Sequence, residues 1–105
     1  MAETFKLPVQ SNPGAASITD LFTATTQVVG RINVANRSAT PTAFRISLAP
    51  GGAADDVSQY IAYDTPIGGN DVYTSVTFTL GSGDKIRVYA TLATLTFTLA
   101  RVEIT

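Results

Sequence analysis

The chain has 105 residues, a net charge of −1 and a charged fraction of only 14%, a size that reads as a single domain. With no Cys and no His, it excludes disulfides, thiolate chemistry, the usual zinc sites and every mechanism built on a histidine base. Its charge balance points neither to a basic nucleic-acid-binding surface nor to an acidic tail. No apolar run reaches the roughly 18 residues of a membrane-spanning helix, and the opening MAETFKLPVQ lacks the pattern of a signal peptide.

Residues 1–16 contain Pro8, Pro13 and Gly14 and follow no regular period, so they read as an extended N-terminal arm that a partner would pin. Residues 17–105 read as one β-domain. A first short strand is expected around Ser17 to Thr23. In TTQVVGRINVAN, the residues Val28, Ile32 and Val34 share one face, while Arg31, Asn33 and Ala35 take the other. This period of two marks a half-buried strand, and Gly30 within it marks a bend, a bulge or a close backbone approach. NRSATP is turn chemistry. TAFRISLA resumes the alternation with Phe44, Ile46 and Leu48 inward and Ala43, Arg45 and Ser47 outward.

PGGAADD reads as a loop. VSQYIAYD reads as a strand with Val57, Gln59, Ile61 and Tyr63 on one face and Ser58, Tyr60 and Ala62 on the other. A Tyr stands on each side, so either face is open to burial. TPIGGN is a further expected loop. DVYTSVTFTL groups Val72, Val76, Phe78 and Leu80, and GSGD reads as a hairpin turn with Gly81 and Gly83 free to take positive φ. KIRVYA points Ile86, Val88 and Ala90 inward. The last segment aligns Leu95, Phe97 and Leu99 and then changes phase to Val102 and Ile104, which predicts a β-bulge or bend near Ala100. About seven or eight short strands with turns every 8 to 12 residues or so predict an all-β, antiparallel β-sandwich of jelly-roll type.

Candidate chemistry is sparse. Asp55 and Asp56 are adjacent carboxylates in a Gly-Ala loop, but neighbours in sequence point apart and no third ligand stands at useful spacing, so no metal site is expected. GSGDK offers backbone N–H groups to an anion yet lacks the phosphate-loop pattern and a following helix. Ser38 and Thr40 in the SAT joint have no base beside them. No cofactor and no enzymatic activity are expected. Tyr60, Tyr63, Tyr73 and Tyr89 are either core residues or cross-strand pairs, or an exposed aromatic surface of the kind that binds sugars and proteins. Arg31, Arg45 and Arg87 fall on the outward phase of their strands and would form a basic band if those strands were neighbours. Arg suits such contacts through its planar fork, while a solvated sheet face with acidic cross-strand partners accounts for the same pattern. Sixteen Thr against two Lys make a low-charge surface that suits burial against other subunits, or simply a robust β-protein.

The segments QSNPGAASITDLFTA, VVGRINVANRSATPTAFRISLAPGGAAD, QYIAYDTPIGGND, LGSGDKIRVYATLATLTFTL and the closing VEIT resemble small proteins of tailed bacteriophages that are encoded among virion genes. The resemblance spans nearly the whole chain and brings no active site with it. It implies a virion structural part, either a capsid decoration (cement) protein or a head- or tail-attached one. By analogy with such proteins, a trimer on the capsid exterior is expected, made in the host cytoplasm, with the major capsid protein and neighbouring virion subunits as partners and with neither nucleic acid nor membrane bound. In that role Phe5, Leu7 and Val9 of the arm would fill grooves on the partner, and Arg31, Arg45 and Arg87 would add polar contacts. The rival expectation is a carbohydrate- or receptor-binding module at a tail tip or fibre, with Tyr60, Tyr63 or Tyr73 as its platform.

Overall fold

The computed structural model describes the backbone of residues 3–5 and the whole of residues 9–104. Leu7 lies outside the described residues, and Phe5 is described by its backbone alone. The strands are β1 (Glu3–Phe5), β2 (Val9–Ser11), β3 (Ser17–Thr23), β4 (Gln27–Asn36), β5 (Thr42–Ala49), β6 (Tyr60–Ile67), β7 (Val72–Thr74), β8 (Phe78–Leu80), β9 (Lys85–Ala90) and β10 (Leu95–Ile104). They form two antiparallel sheets packed as a sandwich. In sheet A, β10 and β4 lie side by side; β1 and β2 line the free edge of β10, and β7 and β8 line the free edge of β4. Each of these short pairs is one broken edge row. Sheet B has the order β3-β9-β5-β6.

Taken as rows, the chain is a set of nested pairs: β5 with β6, β4 with β7 and β8, β3 with β9, and β10 with β1 and β2. Among the described rows only the connection from β5 to β6 stays within one sheet; the others cross between sheets. This is the jelly-roll winding that the strand spacing predicts. The core lies between the sheets, where Val28, Ile32, Val34, Phe44, Ile46, Ile86, Val88, Leu95, Phe97 and Leu99 lose essentially all contact with solvent. The expected inward rows of β4, β9 and the first half of β10 are therefore present, and β3 has the expected bounds.

Several local expectations are overturned. Val57–Gln59 is a turn of 3₁₀ helix with Val57 76% exposed, and β6 begins only at Tyr60. It then runs through the expected TPI loop to Ile67. Its register against β5 shifts twice, with Asp64 at a φ of 47°, so the bulged strand buries Ala62 while Tyr63 faces solvent. Val72 and Val76 do not join Phe78 and Leu80: β7 and β8 are separated by residues 75–77, both valines are exposed, and Tyr73 turns inward against Phe44 at 4.9 Å. GSGD closes no hairpin, because β8 belongs to sheet A and β9 to sheet B; Gly83 takes a positive φ of 93°.

The bulge expected near Ala100 is also absent. Register between β10 and β4 runs unbroken from Leu95 opposite Asn36 to Ile104 opposite Gln27. Arg101 and Glu103 keep the inward phase of Leu99. Their charges pair at 3.2 Å, and the Arg101 guanidinium lies 4.7 Å from the ring centroid of Phe22. A half-buried ion pair capped by an aromatic ring thus replaces the phase slip. Ser47 keeps its outward phase opposite Arg87 yet is only 1% exposed. The 50–56 loop lies over it, held by Arg87, which donates to the carbonyls of Gly52 and Ala53.

In the first 16 residues, β1 and β2 extend sheet A along β10, Val9 packs against the core cluster, and Pro13 is buried. At the other edge, the break between β7 and β8 leaves Ile32 without a ladder partner. Ser75 supplies one: its Oγ accepts from the Ile32 N–H at 2.8 Å and donates to the Val76 carbonyl at 2.9 Å, while its own N–H reaches the Ile32 carbonyl. Ser75→Ala orphans a buried N–H and should cost about 1–3 kcal/mol, with thermal unfolding midpoints falling by about 4–8 °C for each kcal/mol lost. An unchanged midpoint would show that the hydroxyl does not hold the break.

Candidate functional site

NRSATP, the polar joint between β4 and β5, proves to be a clasp. Asn36 is 4% exposed. Its Nδ2 donates to the carbonyls of Thr40 and Gly68, and its Oδ1 accepts from the Ser38 N–H. The 68–71 loop closes on the same turn, with the Asn70 N–H donating to the Ser38 carbonyl at 2.8 Å. A Cβ at Gly69 would collide with the Ala39 carbonyl, so this approach admits only glycine. Arg37 ties the neighbouring connections together by donating to Asn12 Oδ1, just after β2, and to the Ala93 carbonyl between β9 and β10. The Asn36 side chain thus joins loops at one end of the sandwich with both its N–H groups and its oxygen.

The outer face of sheet B gathers the densest set of aromatic and charged side chains. Arg45 of β5 stands opposite Tyr89 of β9. Its guanidinium lies 4.5 Å from the Tyr89 ring centroid and 4.3 Å from that of Tyr63, an arrangement in which both π-faces attract the cation. The bulge at Asp64 swings a carboxylate into reach, and Arg45 donates to both its oxygens at 2.7 and 3.3 Å. That pairing, chiefly the hydrogen bond, holds Arg45 still more firmly protonated. Tyr60 meets Tyr63 edge-on at 5.0 Å, and its hydroxyl donates to Asp55. Burial, reinforced by Asp55, pushes the Tyr60 hydroxyl above its ordinary pKa.

The structure thus brings together Arg45, Tyr60 and Tyr63 and adds Tyr89, Asp55 and Asp64. It places Tyr73 elsewhere, half-buried against the core cluster. Arg87 lies diagonally across the β5–β9 pair from Arg45, opposite Ser47, but Asp20 and two carbonyls occupy it. Arg31 stands in the other sheet, so the three arginines form no common band. The outward phase of Arg45 was legible in the sequence; its stacking between two tyrosines depends on strand pairing and on a bulge, neither of which leaves a local signal.

In the remaining polar loops, the side chains singled out from the sequence bond within the fold. Asp55 and Asp56 diverge, one accepting from Tyr60 and the other from Ser58. Among the described residues no group of three acidic side chains gathers to hold a metal. In the GSGD turn the Asp84 carboxylate accepts from the N–H groups of Gly81 and Gly51 at 2.9 and 2.8 Å, so the chain's own anion fills that cradle. Ser38 accepts from the Thr40 N–H, and Ser47 donates to the Arg87 carbonyl. Lys85 pairs with Asp20 at 3.1 Å.

Comparison of the chain with protein-family models, with curated proteins and with solved structures gives no match.

Among the described residues, two carboxyls are held below their ordinary pKa. The hydrogen bond from Lys85, with the charges of Lys85 and Arg87, holds Asp20 below its ordinary 3.8, and the Gly51 and Gly81 N–H groups do the same for Asp84. As pH falls the unfolded chain takes up these protons first. The stability the two groups contribute is therefore full above about pH 5 and is lost as pH drops through their folded values. Thermal unfolding midpoints should stay level from about pH 6 to 8, where no His titrates, and decline below about pH 4. Asp84→Asn should lower the neutral-pH midpoint and shrink the acid decline; a decline of full size in that variant would remove Asp84 from the account.

Proposed function

We propose that this chain is a virion structural protein, a non-enzymatic capsid decoration protein that binds the capsid exterior and stabilises its lattice through non-covalent contacts at several points. The observation that carries the reading is the placement of exposed apolar side chains. Val57 (76%), Val76 (69%), Val72 (57%) and Ile18 (48%) stand out into solvent. They occupy different parts of the surface: the loop before β6, the broken β7–β8 edge and the start of β3. Single exposed apolar residues are ordinary, but their dispersal over several sides of a low-charge, Thr-rich domain suits a subunit that touches several neighbours at once. Contacts of this kind gain affinity from multivalency without one strong site.

The jelly roll is used in viral capsid domains and in lectins, which supports the reading by analogy alone, and the resemblance to phage virion proteins points the same way. Edge pairing is disfavoured: the edge rows are three-residue pieces in sheet A, β6 is bulged and carries Pro66, and β3 is bulged between Asp20 and Phe22. Such edges resist strand addition, so attachment by side chains is the mechanism, with a trimer and the major capsid protein as the proposed partners. A second reading, a receptor-binding module on the tail, draws on the exposed Tyr63 beside Asp64, Tyr60 and Asp55. Cryo-electron microscopy of purified particles decides between them. Density over the capsid lattice, with occupancy sharply reduced by the double change Val57→Asp and Val72→Asp, is expected. Density confined to the tail would overturn the capsid role, and full occupancy in the double variant would remove these valines from the contact.

A further inference from the structure

The outer face of sheet A carries a second polar arrangement that sequence reading passed over. Four side chains stand in register across four rows: Gln10 of β2, Thr98 of β10, Asn33 of β4 and Thr74 of β7. The next rung pairs Ala100 of β10 with Arg31 of β4. Between the rungs lies a shallow depression of about 320 Å³, lined by Arg31, Asn33, Thr74, Thr98 and Ala100. Ala100 leaves space beside the guanidinium. Beyond Arg31 the edge row is interrupted, because β7 pairs only with residues 33–35 of β4 and β8 only with 28–30.

The hydrogen bonds around the depression decide what it offers. Thr74 Oγ1 donates to Asn33 Oδ1 at 3.3 Å, while Asn33 Nδ2 has no acceptor among the described residues, so its two N–H groups stay free to donate. Gln10 Nε2 donates to Thr98 Oγ1 at 3.5 Å, which leaves the Thr98 hydroxyl hydrogen free to donate. Arg31 is exposed and has neither an ion pair nor a hydrogen bond among the described residues, whereas Arg37, Arg45, Arg87 and Arg101 are all engaged. No carboxylate lines the depression. Its free groups are therefore mainly donors gathered around one uncompensated cation.

From this we propose that the depression binds an acidic saccharide unit, a hexuronate-like ring whose carboxylate pairs with the Arg31 fork and whose ring oxygen and hydroxyls accept from Asn33 Nδ2 and Thr98. The planar guanidinium matches a carboxylate with two parallel bonds. The volume, at the lower end of the range for ligand sites, suits one sugar ring. The Thr74 hydroxyl oxygen remains able to accept from a sugar hydroxyl. This binding needs the depression itself to stay open to solvent, although Val72, a proposed capsid contact, shares the outward phase of Thr74 on β7.

The test is titration of the full chain with glucuronate, glucose and acetate, followed by chemical-shift changes at the amides of residues 31–33 and 98–100. A ligand of about 13 non-hydrogen atoms at ordinary efficiency binds with a dissociation constant on the order of 1 mM. Glucuronate should bind in that range and more weakly as salt rises. Arg31→Gln should weaken it about tenfold or more, since it removes a charged hydrogen-bonding partner. Asn33→Asp keeps the acceptor for Thr74 but faces the ligand with a carboxylate, and it should abolish binding. Both positions are exposed, so unfolding midpoints of the variants should match the parent and separate loss of binding from loss of fold. Glucose binding as tightly as glucuronate, acetate binding as tightly, or glucuronate affinity unchanged in either variant would each overturn the assignment.

Discussion

The ladder between β4 and β10 is the constraint on which the rest of the molecule depends. Ten consecutive residue pairs join the two strands without a register shift. Every row of sheet A is hung on this pair, since β1 and β2 attach to β10 and β7 and β8 to β4. The inner face of the pair also supplies Val28, Ile32, Val34, Leu95, Phe97 and Leu99 to the core. A slip of one residue would turn that whole set to solvent. Continuity at the end of the ladder is kept by Arg101 and Glu103, which follow the core residues inward and neutralise each other under Phe22.

The nested winding asks much of the connections, because nearly all of them cross from one sheet to the other. Polar side chains meet that demand by bonding to backbone. Asn36 and Gly69 lock the turns at one end; Asp84 ties the 81–84 turn to Gly51 at the other; Ser75 bridges the break in an edge row. Buried polar groups left without partners would cost more than they contribute when satisfied, so these residues act as joints, and their chemistry is used up within the fold.

The same internal use of polarity shapes the surface. Most cations are engaged, Arg45 with Asp64 and two tyrosines, Arg87 and Lys85 with Asp20. Among the described residues the outer surface is rich in threonine and small residues, with a few exposed valines. A surface of this kind favours contact with other molecules through many weak apolar points, and Arg31, alone among the described arginines in having neither an ion pair nor a hydrogen bond, is a local exception rather than part of a basic field.

The alternation of apolar residues in 28–34, 86–90 and 95–99 was sufficient by itself to determine strands, their inward faces and the two-layer class, because a period of two is a local property of extended backbone. Composition likewise determined that histidine, cysteine and their chemistry are absent. Tertiary structure alone decided everything that depends on which strand lies beside which. It separated the GSGD strands into different sheets, split 72–80 at Ser75, moved β6 past its expected turn and placed Tyr73 inside and Tyr63 outside. It also set Arg45 between two tyrosines from other strands and left Arg31 alone on the opposite sheet. The physical reason is common to all of these: bulges, breaks and cross-strand neighbours arise from contacts between residues far apart in the chain, and a local pattern carries no record of them.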